Sequence, residues 1–133
     1  MNTDATKFIE AARAVRLQAH APFSRFLVGA ALEAADGRII TGCNVESATY
    51  GLTICAERVA AFKAVSEGHR RFVRVAVVAD TPEPTPPCGA CRQVLWEFGG
   101  NMEVILANLT EEKARHFLGD LLPYAFDLSL IHI

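Results

Sequence analysis

The sequence Cys55-Ala56-Glu57, followed later in the chain by Pro87-Cys88-Gly89-Ala90-Cys91, places three cysteines and one acid in a spacing that suits a metal centre. In proteins Zn²⁺ takes about four tetrahedral ligands, and a catalytic zinc leaves one of those positions for water. Glu57 would stand beside that water without binding the metal. The predicted zinc ligands are Cys55, Cys88 and Cys91. The two stretches therefore predict a fold that brings them together at one site.

Each stretch marks the start of a predicted helix, and an apolar strand lies between the two helices. The segment 55–66 has the apolar pattern of a largely buried helix, and 88–98 is the second helix. The run 73–79 is mostly apolar, which is typical of a strand covered on both faces. Four of the six prolines lie in 81–87, so this segment is expected to be an extended loop that leads into the second helix.

The remaining elements follow from the same kinds of pattern. We predict a helix over 5–19, strands over 26–34, 38–43 and 102–107, and a short helix capped by Thr110 with Glu111 and Glu112 in its first turn. Asp36-Gly37 is a hairpin turn between the first two strands. The order α-β-β-α-β-α-β-α predicts an α/β sandwich with helices packed on a mixed sheet.

Length and composition limit the class of protein. A chain of 133 residues with 51% hydrophobic residues is expected to form a single domain, 1–133, with ample material for a core. The formal net charge of −2, from 13 basic and 15 acidic residues, argues against a nucleic-acid partner. Residues 1–7 lack the pattern of a secretory signal and no run is long enough to span a membrane, so we expect a cytoplasmic protein with no membrane partner. In such a compartment four cysteines indicate metal binding or catalysis more than disulfides.

Both groups of cysteines fall at the start of a helix. Helix N-termini present free N–H groups and a partial positive charge, which stabilise thiolates. Three thiolates on Zn²⁺ sum to a formal charge of −1, so the site needs positive groups near sulfur. The residue types nearby predict that Arg58 or Arg92 donates hydrogen bonds to the ligands from outside the metal's coordination shell.

The C-x-E…P-C-x-x-C signature is that of the zinc-dependent nucleobase deaminases, and the chain resembles the cytidine deaminase family in its small, homotetrameric, three-cysteine form. The likeness extends over nearly the whole chain. It is carried by 22–31, 42–46, 53–58, 87–93 and 121–126. Phe23 stands where the family has Tyr, and Ser47 where it more often has Asn. The resemblance implies a three-layer α-β-α sandwich of the cytidine deaminase type.

The resemblance also implies an activity and a role for each site residue. The reaction is hydrolytic deamination of cytidine and 2′-deoxycytidine in pyrimidine salvage, with one Zn²⁺ per subunit. Glu57 would take a proton from the attacking water, deliver it to N3 of cytosine and later help ammonia depart. Asn44 and Glu46 would hydrogen-bond the ribose, chiefly its 3′-hydroxyl, Phe26 would pack against the nucleoside, and the backbone near Ala56 would read the base edge. From a neighbouring subunit of a homotetramer, Phe126 would reach into the site.

The sequence is compatible with several alternatives. The substrate is either cytidine or a modified aminopyrimidine nucleoside of the blasticidin type. A non-catalytic, zinc-stabilised module is a third possibility, and it requires a fourth protein ligand, for which Cys43 is the candidate. Phe26 and Phe126 also fit ordinary core positions. The Cys-x-x-Cys pair alone would also suit redox chemistry, but the upstream Cys55 and Glu57 favour zinc.

Overall fold

The computed structural model describes residues 4–131, in which a mixed sheet of five strands separates two layers of helix. The elements are α1 (Thr6–Arg16), β1 (Val28–Ala34), β2 (Ile39–Cys43), α2 (Ala56–Ser66), β3 (Phe72–Ala79), α3 (Gly89–Gly99), β4 (Glu103–Ala107), β5 (Glu112–Phe117) and α4 (Leu118–Leu121), with 3₁₀ turns at Tyr50–Leu52 and Leu128–Ile131. The strand order is β2-β1-β3-β4-β5, with β3 and β4 parallel and the other pairs antiparallel. Within 4–131 we find no helix with the length and apolarity needed to cross a bilayer.

The central strand β3 has a separate hydrophobic core on each of its faces. Val75 and Val77 belong to the cluster formed with α2 and α3, whereas Ala76 and Val78 belong to the cluster formed with α1. Side chains alternate between the faces of a strand, so this division follows directly from the sequence of β3. The predicted strand covered on both faces is confirmed, and so is the three-layer α-β-α arrangement.

Two glycines allow helices to lie unusually close to the sheet. A Cβ atom at Gly42 on β2 would lie 2.4 Å from the backbone nitrogen of Ala60 and 2.6 Å from the carbonyl oxygen of Ala56, both on α2. On the opposite face, a Cβ at Gly29 would lie 2.0 Å from the carbonyl oxygen of Ala12 on α1. Because α2 rests directly on the backbone of β2, its N-terminus has a defined position relative to the end of that strand.

Strand β1 begins two residues later than the sequence predicts. The side chain of Asn44 makes the hydrogen bonds that a neighbouring strand would otherwise make at this point. Its Oδ1 accepts from the backbone N–H of Val28 at 2.9 Å, and its Nδ2 donates to the carbonyl of Phe26 at 2.8 Å. Phe26 therefore precedes the strand, and its side chain lies outside the sheet's core.

The short helix predicted after Thr110 is wrong, because residues Glu112–Phe117 form the edge strand β5. Asn108 explains the difference. Its Oδ1 accepts from the backbone N–H groups of Thr110 and Glu111, at 3.0 and 2.9 Å, and so closes a side-chain turn rather than a helix start. The chain then returns antiparallel to β4. An exposed edge strand needs no apolar alternation, so the polar sequence of β5 gave no strand signal.

Candidate active site

The starts of α2 and α3 bring three sulfur atoms together. The Sγ atoms of Cys55 and Cys88 are 3.7 Å apart, those of Cys88 and Cys91 are 3.5 Å apart, and all three lie within 4.8 Å of one another. Cys55 and Cys88 are the N-cap residues of the two helices, and Cys91 lies in the first turn of α3. Sulfurs bound at about 2.3 Å to a tetrahedral Zn²⁺ are roughly 3.8 Å from one another. Both the soft donor set and its spacing fit zinc.

The fourth cysteine lies on a different face of the sheet. Cys43 ends β2 and pairs with Gly29, whose own face is covered by α1. Gly42, the residue before it, faces α2 instead, so the side chain of Cys43 points away from the start of α2. Its thiol is partly buried, and burial raises its pKa. Cys43 is therefore not a fourth ligand in this arrangement.

Of the two candidate arginines, only Arg58 lies at a ligand sulfur in the described chain. Its Nη2 donates to Cys55 Sγ at 3.5 Å. Arg92 instead donates from Nε to the carbonyl of Pro87 at 2.7 Å and from Nη1 to the carbonyl of Leu121 at 2.8 Å. Arg58 thus compensates thiolate charge, whereas Arg92 joins the loop before α3 to the C-terminal segment.

The sulfur cluster favours a thiolate even without a metal. A hydrogen bond from the Cys91 thiol, together with one from Arg58, lowers the pKa of Cys55 to about 5 against the opposing effect of burial. The same hydrogen bond to Cys55 raises the pKa of Cys91, because Cys91 is the partner that keeps its proton. A thiolate is the form of cysteine that binds metal.

Glu57 is the acid beside this cluster. It lies in the first turn of α2, and its residue surface is only 4% exposed. Burial raises its pKa to about 7, with a smaller contribution in the same direction from the Cys55 thiolate. A carboxyl group whose pKa lies near neutrality can both accept and return a proton, which suits general acid–base chemistry.

A cavity of about 260 Å³ opens next to the cysteines. Its wall includes nearly all of the residues that the sequence assigned to the site, namely Phe26, Asn44, Glu46, Cys55, Ala56, Glu57 and Cys88. Three of the assigned residues do not line it. Cys91 is buried behind the other ligands, Arg58 lies at the sulfur of Cys55, and Phe126 is 53% exposed and lies outside the cavity of its own chain. The carbonyl of Phe126 accepts a hydrogen bond of 2.6 Å from Nε2 of Gln93.

Asn44 and Glu46 both face the cavity, and both also hold neighbouring backbone. The amide of Asn44 joins Phe26 and Val28, as described above. The carboxylate of Glu46 accepts hydrogen bonds from residues of the loop before β1, including Ser24. Each side chain retains hydrogen-bonding capacity for a further group in the cavity.

The cavity wall also contains residues for which the sequence predicted no role. These are Ser24, Val28, Thr53, Ile54, Val77, Thr85 and Pro86. Closeness in sequence to a predicted zinc ligand could have indicated four of them, since Thr53 and Ile54 directly precede Cys55, and Thr85 and Pro86 closely precede Cys88. Ser24 and Val77 come from distant parts of the chain and are brought in only by the fold.

Comparison with known proteins agrees with this geometry. Residues 2–108 match the family described as the cytidine and deoxycytidylate deaminase zinc-binding region. The chain belongs to this deaminase family. The resemblance, the enzyme class and the zinc cofactor predicted from the sequence are thereby confirmed. A zinc-dependent deaminase of this family is a hydrolase that acts on a carbon–nitrogen bond.

Individual family members are similar over almost their full length. A cytidine deaminase of Sporosarcina psychrophila is 52% identical over 130 residues, covering 95% of this chain and 96% of the relative. The crystal structure of cytidine deaminase from Burkholderia pseudomallei is 50% identical, with a TM-score of 0.88, and covers 95% of this chain and 100% of that one. The cytidine deaminase from Mycobacterium tuberculosis, at 41% identity, has a TM-score of 0.80 over 94% of this chain and 98% of that chain. The deaminase fold is thus shared along the chain.

Proposed function

We propose that residues 1–133 form a single deaminase domain that converts cytidine and 2′-deoxycytidine to uridine and 2′-deoxyuridine with release of ammonia, as in pyrimidine salvage. The observation that carries this proposal is one cavity that lies beside a three-sulfur cluster and is lined by the buried Glu57 and by two polar residues suited to a sugar. The cytidine deaminases that resemble the chain over most of their length support the same substrate class.

The metal is held by Cys55, Cys88 and Cys91. When bound, zinc lowers the pKa of a water molecule to about 7 and so makes hydroxide accessible at neutral pH. Glu57 takes the proton released by the water, transfers it to N3 of the cytosine ring and then assists the departure of ammonia. Its burial beside the cysteines and its raised pKa support this role.

The other wall residues bind and orient the nucleoside. We assign the ribose, chiefly its 3′-hydroxyl, to Asn44 and Glu46, which lie two apart and line the same cavity. Phe26 packs against the nucleoside, and the free N–H groups at the start of α2, near Ala56, read the base edge. A carboxylate at the sugar also repels a 3′-phosphate, which favours a free nucleoside over a polynucleotide.

The active site is completed by a second subunit in this proposal. Phe126 does not line the cavity of its own chain and is half exposed, which supports a role in the site of a neighbour. Other large apolar side chains are also exposed, including Phe62, Leu52 and Tyr124, as expected of a surface covered by partner subunits. We propose a homotetramer in the cytoplasm, where reducing conditions keep the ligand thiols free.

The first test is turnover of cytidine by the purified protein, followed by the change in ultraviolet absorbance, with zinc per chain measured in the same sample. Turnover with about one zinc per subunit supports the proposal. A panel of aminopyrimidine nucleosides, including a blasticidin-type compound, then defines the substrate. Zinc without turnover of any of them would favour the non-catalytic module, although the position of Cys43 opposes a closed four-cysteine site.

The decisive variant is Glu57→Gln, which keeps the size of the side chain and removes its ability to carry a proton. We expect kcat to fall by at least about 10²-fold, the lower end of the contribution of a general acid–base group. Zinc content is expected to stay at the wild-type value because Glu57 is not a ligand. Full activity of Glu57→Gln with zinc retained would exclude the proposed mechanism.

A further inference from the structure

The carboxylate of Glu46 is held by one short turn of the chain. Its Oε1 accepts from the backbone N–H groups of Phe23 and Ser24, at 3.0 and 3.1 Å, and its Oε2 accepts from the hydroxyl of Ser24. A glutamate side chain that is not held by other groups samples several rotamers. Three donors from adjacent residues hold this one in a single orientation at the wall of the cavity.

The Ser24 hydroxyl has a defined direction. Its Oγ accepts a hydrogen bond of 3.0 Å from the backbone N–H of Phe26, so its own proton is directed toward Glu46. The result is a chain from the N–H of Phe26, through the hydroxyl of Ser24, to Oε2 of Glu46. The hydrogen bond from the Ser24 hydroxyl is also the main cause that lowers the pKa of Glu46, which keeps the carboxylate ionised and able only to accept.

The turn that makes this arrangement possible is tightly constrained. Arg25, between Ser24 and Phe26, has a φ of 58°, in the left-handed region. Its backbone N–H donates to the carbonyl of Ala21 at 2.9 Å, which closes the turn. This conformation lets the backbone N–H of Phe26 donate to the hydroxyl of Ser24, which itself donates to Glu46.

The Glu46 carboxylate keeps one acceptor position for a further group. An ionised carboxylate has about four lone-pair positions, two on each oxygen. The described residues fill two on Oε1 and one on Oε2. One position on Oε2 remains, and it suits a hydroxyl donor and no acceptor.

We propose that Ser24 is a positioning residue that fixes the Glu46 carboxylate with one acceptor site free, and that it thereby makes the pocket selective for a nucleoside with a free sugar hydroxyl. This inference rests on the proposed function, in which Glu46 binds the 3′-hydroxyl. Ser24 itself does not contact the reacting atoms. It acts on substrate selection, and therefore on KM for the hydroxylated substrate more than on kcat.

The experiment compares cytidine with 3′-deoxycytidine. In Ser24→Ala we expect the ratio of kcat/KM for the two nucleosides to fall by about tenfold, as for loss of a hydrogen bond to a charged group, mainly through a higher KM for cytidine. Ser24→Thr retains the hydroxyl and is expected to keep the ratio near that of the wild type. Ser47→Ala is the matched control, because Ser47 is adjacent to Glu46 but its hydroxyl accepts from the N–H of Thr49 at 3.0 Å.

A double variant distinguishes an effect of Ser24 that acts through Glu46 from general damage to the loop. If Ser24 acts through Glu46, Ser24→Ala will lower the ratio little further when Glu46 is already replaced by Gln. Two outcomes would overturn the role of Ser24 and leave the proposed function intact. One is an equal loss of kcat/KM for both nucleosides in Ser24→Ala. The other is a wild-type ratio in Ser24→Ala together with a lowered ratio in Glu46→Gln. A wild-type ratio in Glu46→Gln would overturn the ribose contact of the proposed function and the assignment of Ser24 with it. Zinc content and Tm of each variant establish that the site is intact.

Discussion

Arg58 illustrates how a single residue adjusts the charge of the metal centre. Its Nη2 contacts the sulfur of Cys55, while its buried Nε has no hydrogen-bond partner among the described residues. Leaving a buried donor unsatisfied costs about 1–3 kcal/mol. A guanidinium is retained there because three thiolates bring one more negative charge than zinc brings positive charge, and a fixed cation offsets that excess.

We predict that Arg58→Gln weakens metal binding. We expect zinc affinity to fall by about 10- to 100-fold, as is typical when a group that supports metal ligands is removed. Affinity is measured by competition with a chromogenic chelator. Arg38→Gln is the control, because Arg38 is an exposed arginine. Unchanged affinity in Arg58→Gln would show that the helix N-termini alone stabilise the thiolates.

Among the elements, α2 matters most, because its first residues provide both a ligand and the proton carrier. Its position is set by contact with β2 at Gly42, where a side chain would collide with the backbone of Ala56 and Ala60. Backbone atoms cannot move out of the way as the end of a flexible side chain can. A methyl group at this point therefore has to displace the helix or bend the strand.

We accordingly predict that Gly42→Ala destabilises the fold and lowers activity together. The loss of unfolding free energy is expected to be about 1–3 kcal/mol, the usual cost of overpacking, and kcat is expected to fall because Cys55 and Glu57 move with α2. Urea unfolding and cytidine turnover measure the two effects. Gly51→Ala is the matched control, since a Cβ at Gly51 meets no atom within 4 Å. Wild-type stability in Gly42→Ala would mean that the close packing of α2 on β2 is not required.

For the whole molecule, the main feature is that Phe126, a residue of the proposed site, does not line the cavity of its own chain. Phe126 lies on the C-terminal segment, which Gln93 and Arg92 tie to the start of α3 through the carbonyls of Phe126 and Leu121. The segment that presents Phe126 outward is thus anchored beside the metal ligands of its own chain. In a tetramer this arrangement would link each metal centre to the pocket of a neighbour.

Mixing two inactive variants tests this link between subunits. Phe126→Ala and Glu57→Gln are each expected to lose activity, the first by poor nucleoside binding and the second by loss of proton transfer. After dissociation and joint reassembly, some sites will combine Glu57 of one chain with Phe126 of another. We expect activity to return in the mixture, while each variant reassembled alone stays inactive. Failure to regain activity, with mixed tetramers shown by mass spectrometry, would place Phe126 in its own chain's site or outside any site.

Much of the fold followed from local sequence patterns, whereas the wrong prediction of a helix after Thr110 has its cause outside that segment. The buried strand β3 and the helices after Cys55 and Cys88 have strong apolar signals, and they were predicted nearly to the residue. Strand β5 was predicted as helix because it lies at an exposed edge, where pairing with β4 and the turn at Asn108 decide its conformation. Neither influence is visible in the composition of 112–117.

The sequence by itself determined the chemistry of this protein, because the zinc ligands and the acid occur in short motifs at helix starts, where residue type and spacing set what can bind. Only the tertiary structure decided that Arg58 and not Arg92 lies at sulfur, and that Cys43 faces away from the ligands. It alone brought Ser24 to the carboxylate of Glu46. These outcomes depend on contacts between distant segments or on which way a side chain points, and the packing of helices on the sheet settles both.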